Sequence, residues 1–405
     1  MATLSNNEIF TTLIALFFLL FSSFICGKLC ELIQMPKVVG EITGGILLGG
    51  TLFGHFFPDT FQSIFNAFPE EQKLLNIFYQ LGLIFLMFIS GYNTTVDINR
   101  KNIRNSALLF TGATIIPFLL GIPFINLFKS HYIGDANNNT AFAIVFLIAA
   151  AVTSIPVISK IFFDLNMMDT KFSNMILTVS TIQDLCLWIA LNMAVLLVQG
   201  QQLTFWSFVI TSVTTIALLG LATLIDFLFK KYKASIKKEQ IPIALLIVLG
   251  IVILLIKLHI NIMYSAFIAG YLAKALIPQK ESVEKIKDFS FAFFVPIYFA
   301  LVGIQINLVN NFNFGLFLLY FVIAFGLEFI GTIATMLFTR YNTITKLTFG
   351  ITMNARGGPG IVLATTAYAY GIISSEFFAV LILVTMISSA IAGYWIRAFK
   401  EKLNV

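Results

Sequence analysis

"ITMNARGGPGIVLATTA", Ile351 to Ala367, is an apolar stretch that keeps Asn354, Arg356, Pro359 and three glycines near its middle. A helix running through it lacks the amide of Pro359, and Gly357, Gly358 and Gly360 loosen the turns around that gap. The backbone groups freed in this way survive inside a bilayer only where protein or a water-lined cavity satisfies them. A second stretch repeats the pattern: "AAAVTSIPVISKIF", Ala149 to Phe162, sets Thr153, Ser154 and Pro156 in the middle of another apolar run. Whether these are two proline kinks in packed helices or two halves of one site depends on how the rest of the chain is divided.

Of 405 residues, 59% are hydrophobic, 11% are charged and 44 are phenylalanine. Soluble domains carry roughly twice that charge, so the composition is that of an all-α polytopic membrane protein. The net charge of +6 would suit an acidic partner, but the basic residues sit in short connections between apolar runs. There they set orientation in the bilayer, and nucleic-acid binding is set aside. Cys26, Cys30 and Cys186 are too few and too apolar in context for a disulfide framework or a metal cluster, and read as small buried residues. The first apolar run, 9–27, follows no Lys or Arg and ends without a small-residue cleavage pattern, so it reads as a retained span.

A ruler of about 17 to 25 apolar residues per crossing divides the chain into thirteen spans. They lie near 9–27, 38–54, 76–92, 105–128, 140–162, 172–198, 204–229, 241–258, 260–277, 289–305, 313–339, 346–371 and 376–398. The weakest join is the tight one at Lys257 and His259. Charge gives an independent check. One set of alternate connections holds Lys28, Lys37, Arg100, Lys101, Arg104, Lys160, Lys171, the run Lys230 to Lys238, Lys274 to Lys287, Arg340, Lys346, Arg397, Lys400 and Lys402. The other side has Lys73, Lys129 and Lys257, and Arg356 lies within a span. A miscounted helix would scramble that asymmetry, so the carboxyl end is expected in the cytoplasm and the amino end outside, in the cell (inner) membrane. The longest connection, His55 to Leu75, is too short for a soluble domain.

The interrupted spans are the fifth and the twelfth, seven apart, a shift that reverses direction through the membrane. Such a pair points to an inverted repeat with a substrate site at the midplane. Either span alone would read as an ordinary kink. The pair, with charges nearby, favours a transporter. Four ionisable residues fall deep in spans: Glu41, Asp184, Glu328 and Arg356. Asp184 in "STIQDLCLW" is the sharpest, with Gln183 beside it, Thr178, Ser180 and Thr181 before it and Asn192 after. An intramembrane charge faces a cavity or a partner by default. Carboxylate, hydroxyl and freed carbonyl oxygens suit hard alkali cations, and no His or Cys cluster offers a transition-metal site. Desolvation favours the protonated form of a carboxylate and a nearby cation the ionised form, so one aspartate holds a proton or a cation but is poor at holding both. That exclusion is an exchange mechanism when helix bundles rock against each other. Glu328 and Arg356 either pair or line the cavity separately, and Glu41 reads as a helix-packing residue. The Lys230 to Lys238 run reads as a topology signal with affinity for anionic headgroups. No catalytic triad, metal cluster or nucleotide loop supports an enzyme or a cofactor.

Four segments in order, "MPKVVGEITGGILLGGTLFG" (Met35–Gly54), "LGLIFLMFISGYNTTVDI" (Leu81–Ile98), "TSIPVISKIFFDLNMMDTKFSNMILTVSTIQDLCLW" (Thr153–Trp188) and "MNARGGPGIVLATTAYAYGII" (Met353–Ile373), resemble the monovalent cation:proton antiporter-2 family of the cation/proton antiporter superfamily. The resemblance implies two inverted six-helix repeats. It also implies a core bundle (105–198 and 313–398) moving against a dimerisation bundle (9–92 and 204–305), and a homodimer. By position, Asp184 becomes the ion- and proton-binding carboxylate, with Gln183, Thr153 and Ser154 around it. Gln183 stands where many sodium/proton exchangers have Asp or Asn and glutathione-gated potassium efflux systems have Gln. Arg356 matches the family's twelfth-span arginine, in a supporting network with Glu328 and Asn354. Three departures stand out. Glu328 occupies what is lysine in many relatives, so a lysine–aspartate pairing is impossible and electroneutral exchange is expected. Asn93 replaces a common acidic residue. The sequence runs only a few residues past the last span, to Val405, so gating by the nucleotide-binding regulatory domain of potassium efflux relatives is not expected on this polypeptide.

The expected function is therefore secondary exchange of Na⁺ or K⁺ for H⁺, serving pH or cation homeostasis. Spacing does not choose between the two cations. One alternative is a cation-coupled symporter of a small organic anion, in which Arg356 meets a carboxylate. Another is a transport-dead membrane sensor or assembly protein.

Overall fold

The computed structural model describes residues 4–33, 35–93, 103–167, 170–200, 240–257, 262–276, 280–309 and 312–403. The span expected at 204–229, the Lys230 to Lys238 run and His259 lie outside these described residues. The helices in chain order are α1 (Asn6–Leu32), α2 (Lys37–Leu48), α3 (Phe53–Phe56), α4 (Pro58–Phe65), α5 (Glu71–Asn93), α6 (Ile103–Phe110), α7 (Ile116–Gly121), α8 (Ile125–Tyr132), α9 (Asn139–Ala149), α10 (Ile155–Asp164) and α11 (Lys171–Val198). After the next undescribed segment come α12 (Gln240–Lys257), α13 (Ile262–Leu276), α14 (Lys280–Ala292), α15 (Phe294–Ile304), α16 (Phe314–Met336), α17 (Thr343–Met353), α18 (Gly357–Ala369) and α19 (Ser375–Phe399). Among the described residues no β-strand forms, only an isolated antiparallel bridge between Ile133 and Ile373.

Seven described helices are long and apolar enough to cross a membrane, with α9 and Val248–Lys257 as shorter apolar pieces. On α1, Phe10, Phe17 and Phe24 are each at least 60% exposed, and their seven-residue spacing puts them on one face. A face of that kind suits acyl chains rather than water, and the chain is an integral membrane protein of all-α, polytopic type.

Two of the expected spans carry interruptions that an apolar ruler cannot see, because prolines act on backbone bonds. The stretch expected as one span at 105–128 is a helix from Ile103 to Tyr132 interrupted by a π turn at Thr111–Ile115 and a 3₁₀ turn at Ile122–Phe124. The span expected at 289–305 corresponds to the candidate crossing Val283–Ile304, interrupted at Phe293 between α14 and α15. Pro296 has no amide to give the carbonyl of Ala292, where an unbroken helix would need one. The connection from His55 to Leu75 is largely helical, containing α4 and the start of α5. The cysteines are also a correction: Cys186 is exposed, and Cys26 and Cys30 are only partly buried. A thiol is apolar enough to face lipid, so burial is not required of it.

The chain forms two compact units. One comprises the described residues of Met1–Glu31, Lys37–Thr94 and Phe205–Val309, the other those of Leu32–Pro36, Thr95–Thr204 and Asn310–Val405. In the first unit α2 is glycine-lined on two sides. A Cβ on Gly40 would collide with the Cys26 carbonyl of α1, and one on Gly45 with the Ala300 carbonyl of α15, while Gly303 lies against the Ile42 carbonyl. Small residues let helix backbones approach closely where lipid supplies no hydrophobic drive. Glu41 is buried in this packing, 3.2 Å from Lys37 one turn earlier. We expect Gly45→Ala to lower stability by about 1–3 kcal/mol through overpacking. Thermal unfolding in detergent checks this against Gly250→Ala, which meets nothing within 4 Å and should be neutral or stabilising.

The second unit contains α6–α11 and α16–α19. Phe162, Phe172 and Phe349 pack together at its core, the first two edge to face and the last two tilted with ring centroids 4.4 Å apart. Within this unit both broken helices, α9/α10 and α17/α18, are held by hydrogen bonds between them.

Candidate functional site

Each broken helix leaves unpaired carbonyls at the end of its first half and unpaired amides at the start of its second. The sequence of each break supplies the partner for the other. The chain between α9 and α10 is extended through Thr153 and Ser154, and the Ser154 amide donates to the Ala355 carbonyl at 2.5 Å. That carbonyl is available because the residue four positions on, Pro359, has no amide to offer it. Thr153 Oγ1 donates to the Met353 carbonyl at 2.6 Å, capping the end of α17. Arg356 does the reverse for α9: Nε donates to the Ala149 carbonyl and Nη2 to the Ala150 carbonyl, both at 3.2 Å. A cation at a helix carboxyl end also meets the negative pole of the helix dipole.

The second halves begin in the same economical way. Ser154 Oγ accepts from the Val157 amide at 3.4 Å, and Ser389 Oγ accepts from the Gly357 amide at 3.2 Å. Gly357 has φ +38°, and a Cβ there would overlap Ser154 Oγ. Only glycine fits both the left-handed conformation and the crossing.

Glu328, on the unbroken helix α16, ties the two breaks together. Its Oε2 is 3.1 Å from Arg356 Nη2, and its Oε1 accepts from Thr153 Oγ1 at 3.4 Å. Nη2 also lies 3.1 Å from the Ala324 carbonyl and 3.2 Å from Asn354 Oδ1, while Asn354 Nδ2 donates back to the Gly350 carbonyl. Glu328, Asn354, Thr153 and Ser154 are fully buried and Arg356 is 2% exposed, so this is a desolvated ion pair in which Nε and Nη2 of the arginine are matched to oxygens while Nη1 is buried without a partner.

Asp184 differs from all of these. It is 1% exposed on α11, and neither carboxylate oxygen has a hydrogen-bond partner. Of the hydroxyls singled out in the sequence, Thr178 bonds the Asn174 carbonyl and Thr181 the Leu177 carbonyl of their own helix, while Ser180 Oγ, one turn before Asp184, is buried without a partner. Gln183 is held through its nitrogen: Nε2 donates to Thr114 Oγ1 at 2.7 Å, to the Ala113 carbonyl at 3.2 Å and to the Ala151 carbonyl at 3.5 Å. Its Oε1 is buried without a partner. The structure thus brings Thr153, Glu328, Arg356 and Asn354 into one bonded network and leaves Asp184 outside it as a bare carboxylate.

Sequence reading missed Thr114, Ser389 and two buried hydroxyls without partners, Thr332 and Thr352. Thr332 lies one turn after Glu328, which was a usable signal. Among the described residues no three His, Cys, Asp or Glu side chains are grouped to hold a metal ion.

Residues 14–402 match the family described as "sodium/hydrogen exchanger, transmembrane". The chain is 24% identical over 378 residues to cation/H(+) antiporter 18 of Arabidopsis thaliana, covering 89% of this chain and 45% of that protein. It therefore spans about half the length of that curated relative. It is 24% identical over 385 residues to Na(+)/H(+) antiporter NhaS4 of Synechocystis sp., covering 91% and 92% of the two chains. Among solved structures, the sodium proton antiporter MjNhaP1 of Methanocaldococcus jannaschii at pH 8 has the same fold, with TM-score 0.66, 14% identity and 98% of each chain covered.

Proposed function

We propose that this chain, which belongs to the sodium/hydrogen exchanger family, is a secondary antiporter exchanging Na⁺ or K⁺ for H⁺ in the cell membrane. The observation that carries the reading is the contrast between two buried carboxylates. Glu328 is engaged by Arg356 and Thr153, whereas both oxygens of Asp184 are unpartnered. An ionised carboxylate left bare in a low-dielectric interior costs several kcal/mol, so Asp184 carries either a proton or a cation at every stage. Binding of one expels the other, and alternation of access converts that competition into exchange.

Gln183 Oε1 and the hydroxyls near the crossing add neutral oxygen ligands. They contribute no second charge. With Glu328 neutralised by Arg356, one monovalent cation replaces one proton per cycle, and the exchange is electroneutral. The unit holding the breaks acts as the moving core, and the unit built on α2, α5, α13 and α15 as the dimerisation scaffold of a homodimer. The amino end faces outward and the carboxyl end the cytoplasm.

The test is flux. In proteoliposomes carrying a pH-sensitive dye, Na⁺ or K⁺ gradients should drive proton movement in the opposite direction. Clamping the membrane potential from 0 to about −100 mV should leave the rate unchanged, although a net moved charge would feel roughly 2.3 kcal/mol across that potential. Absence of cation-driven proton movement refutes the antiporter reading, and a clear voltage dependence refutes electroneutrality alone.

A further inference from the structure

The π turn at Thr111–Ile115 is not used by the exchange chemistry set out above, yet it contacts the residue beside Asp184. Its origin is local. The Ile116 amide bonds the Thr111 carbonyl five residues back, and the next residue, Pro117, has no amide for the Ala113 carbonyl four residues before it. Gly112 lets the turn pack closely on α16, since a Cβ there would be driven into Thr335 Oγ1 and the Gly331 carbonyl. The Ala113 carbonyl is then open to an outside donor, and that donor is Gln183 Nε2.

The identity of the partners fixes the amide's direction. The Ala113 and Ala151 carbonyls can only accept, so turning the amide over would set oxygen against oxygen. Thr114 Oγ1 makes the shortest of the three bonds, at 2.7 Å. With Nε2 taken up on this side, Oε1 remains buried and unpartnered. We infer that Thr114, with the Ala113 carbonyl freed by Pro117, is a positioning clamp that holds Gln183 with its oxygen free for the transported cation. This rests on the antiporter reading and deepens it. A glutamine has three rotatable bonds, and ordering it beforehand removes that cost from the binding step. The clamp also sets where one neutral ligand oxygen stands, which bears on cation selectivity.

The experiment compares wild type with Thr114→Val, Thr114→Ser, Gln183→Ala and the double variant Thr114→Val/Gln183→Ala in proteoliposomes. Loss of one hydrogen bond at the clamp should raise the half-saturating cation concentration about three- to tenfold at unchanged maximal rate. Thr114→Ser should stay within about twofold of wild type, because it keeps the acceptor. On the Gln183→Ala background, Thr114→Val should add nothing, the mark of two residues acting through one another. Unchanged half-saturation in Thr114→Val, or additive effects in the double variant, overturns the clamp. The same variants are read in detergent by the rise in melting midpoint with added Na⁺ or K⁺, which needs no transport. A wild type that shows Thr114-dependent cation stabilisation but no exchange overturns the antiporter reading and keeps the clamp. A wild type that neither exchanges nor is stabilised by either cation overturns both.

Discussion

Asp184→Asn is expected to abolish cation-driven proton movement while leaving a folded protein whose melting midpoint is no lower than that of wild type. The two halves of this expectation have one cause. Asp184 is buried at 1% exposure with both oxygens unpartnered, so it contributes nothing to the bonded network that holds the crossing together. Replacing it exchanges one buried, unpartnered polar group for another of the same shape and breaks no contact. The asparagine has nearly the same shape, but it cannot release a proton and offers a cation no negative charge. Exchange therefore loses both of its competing ligands at one stroke, and flux in proteoliposomes should fall to the level of empty liposomes. Retained cation-driven proton movement would remove Asp184 from the mechanism. A sharp fall in melting midpoint would show instead that the carboxylate has a structural partner. Sites that store unsatisfied groups for function commonly gain stability when those groups are removed.

What the sequence revealed about this site followed residue chemistry that acts locally. Pro359 and its glycine neighbours, and Pro156 with Thr153 and Ser154, announce backbone groups that the helix itself cannot satisfy, and the structure breaks both helices there. Asp184 and Gln183 stood out because polar residues are expensive in that setting. Partner choice was much less legible. The pairing of Glu328 with Arg356 was one of two open readings, and nothing in the spacing showed that Arg356 would also cap the carboxyl end of α9. The link from Gln183 to Thr114 joins residues 69 apart in sequence and depends on a π turn. Its only local trace is the position of Pro117, four residues after Ala113. Interruptions inside spans were illegible for the same reason in reverse: an apolar window averages over Pro296 and Pro117, whereas the hydrogen-bond ladder does not.

Arg356→Met should be the most destabilising single substitution in the second unit. The side chain is of similar length and apolar, so little volume is lost. The arginine's bonds to the Ala149, Ala150 and Ala324 carbonyls and to Asn354 Oδ1 would go, and Glu328 would lose its ion-pair partner. Removing one partner of a buried pair costs about 3–5 kcal/mol, because the other charge is left desolvated and unmatched. That is a large share of the total stability of a protein, so we expect a steep loss of monodisperse material and a strongly lowered melting midpoint in detergent. Glu328→Gln should be milder. Arg356 keeps its carbonyl partners in that variant, the amide oxygen can still accept from Nη2, and the amide nitrogen turned toward Thr153 can donate to Oγ1, whose own proton goes to the Met353 carbonyl. The decisive comparison is the double variant Arg356→Met/Glu328→Met, which leaves no unpaired charge. If the ion pair is what Arg356 chiefly supplies, the double variant recovers stability relative to Arg356→Met alone, giving a coupling of about 1–3 kcal/mol. If the cap on α9 is what matters, the double variant is no better than the single one. Either result separates two jobs that this arginine performs from one position: closing a broken helix, and neutralising the one buried acid that must not compete with Asp184 for the cation.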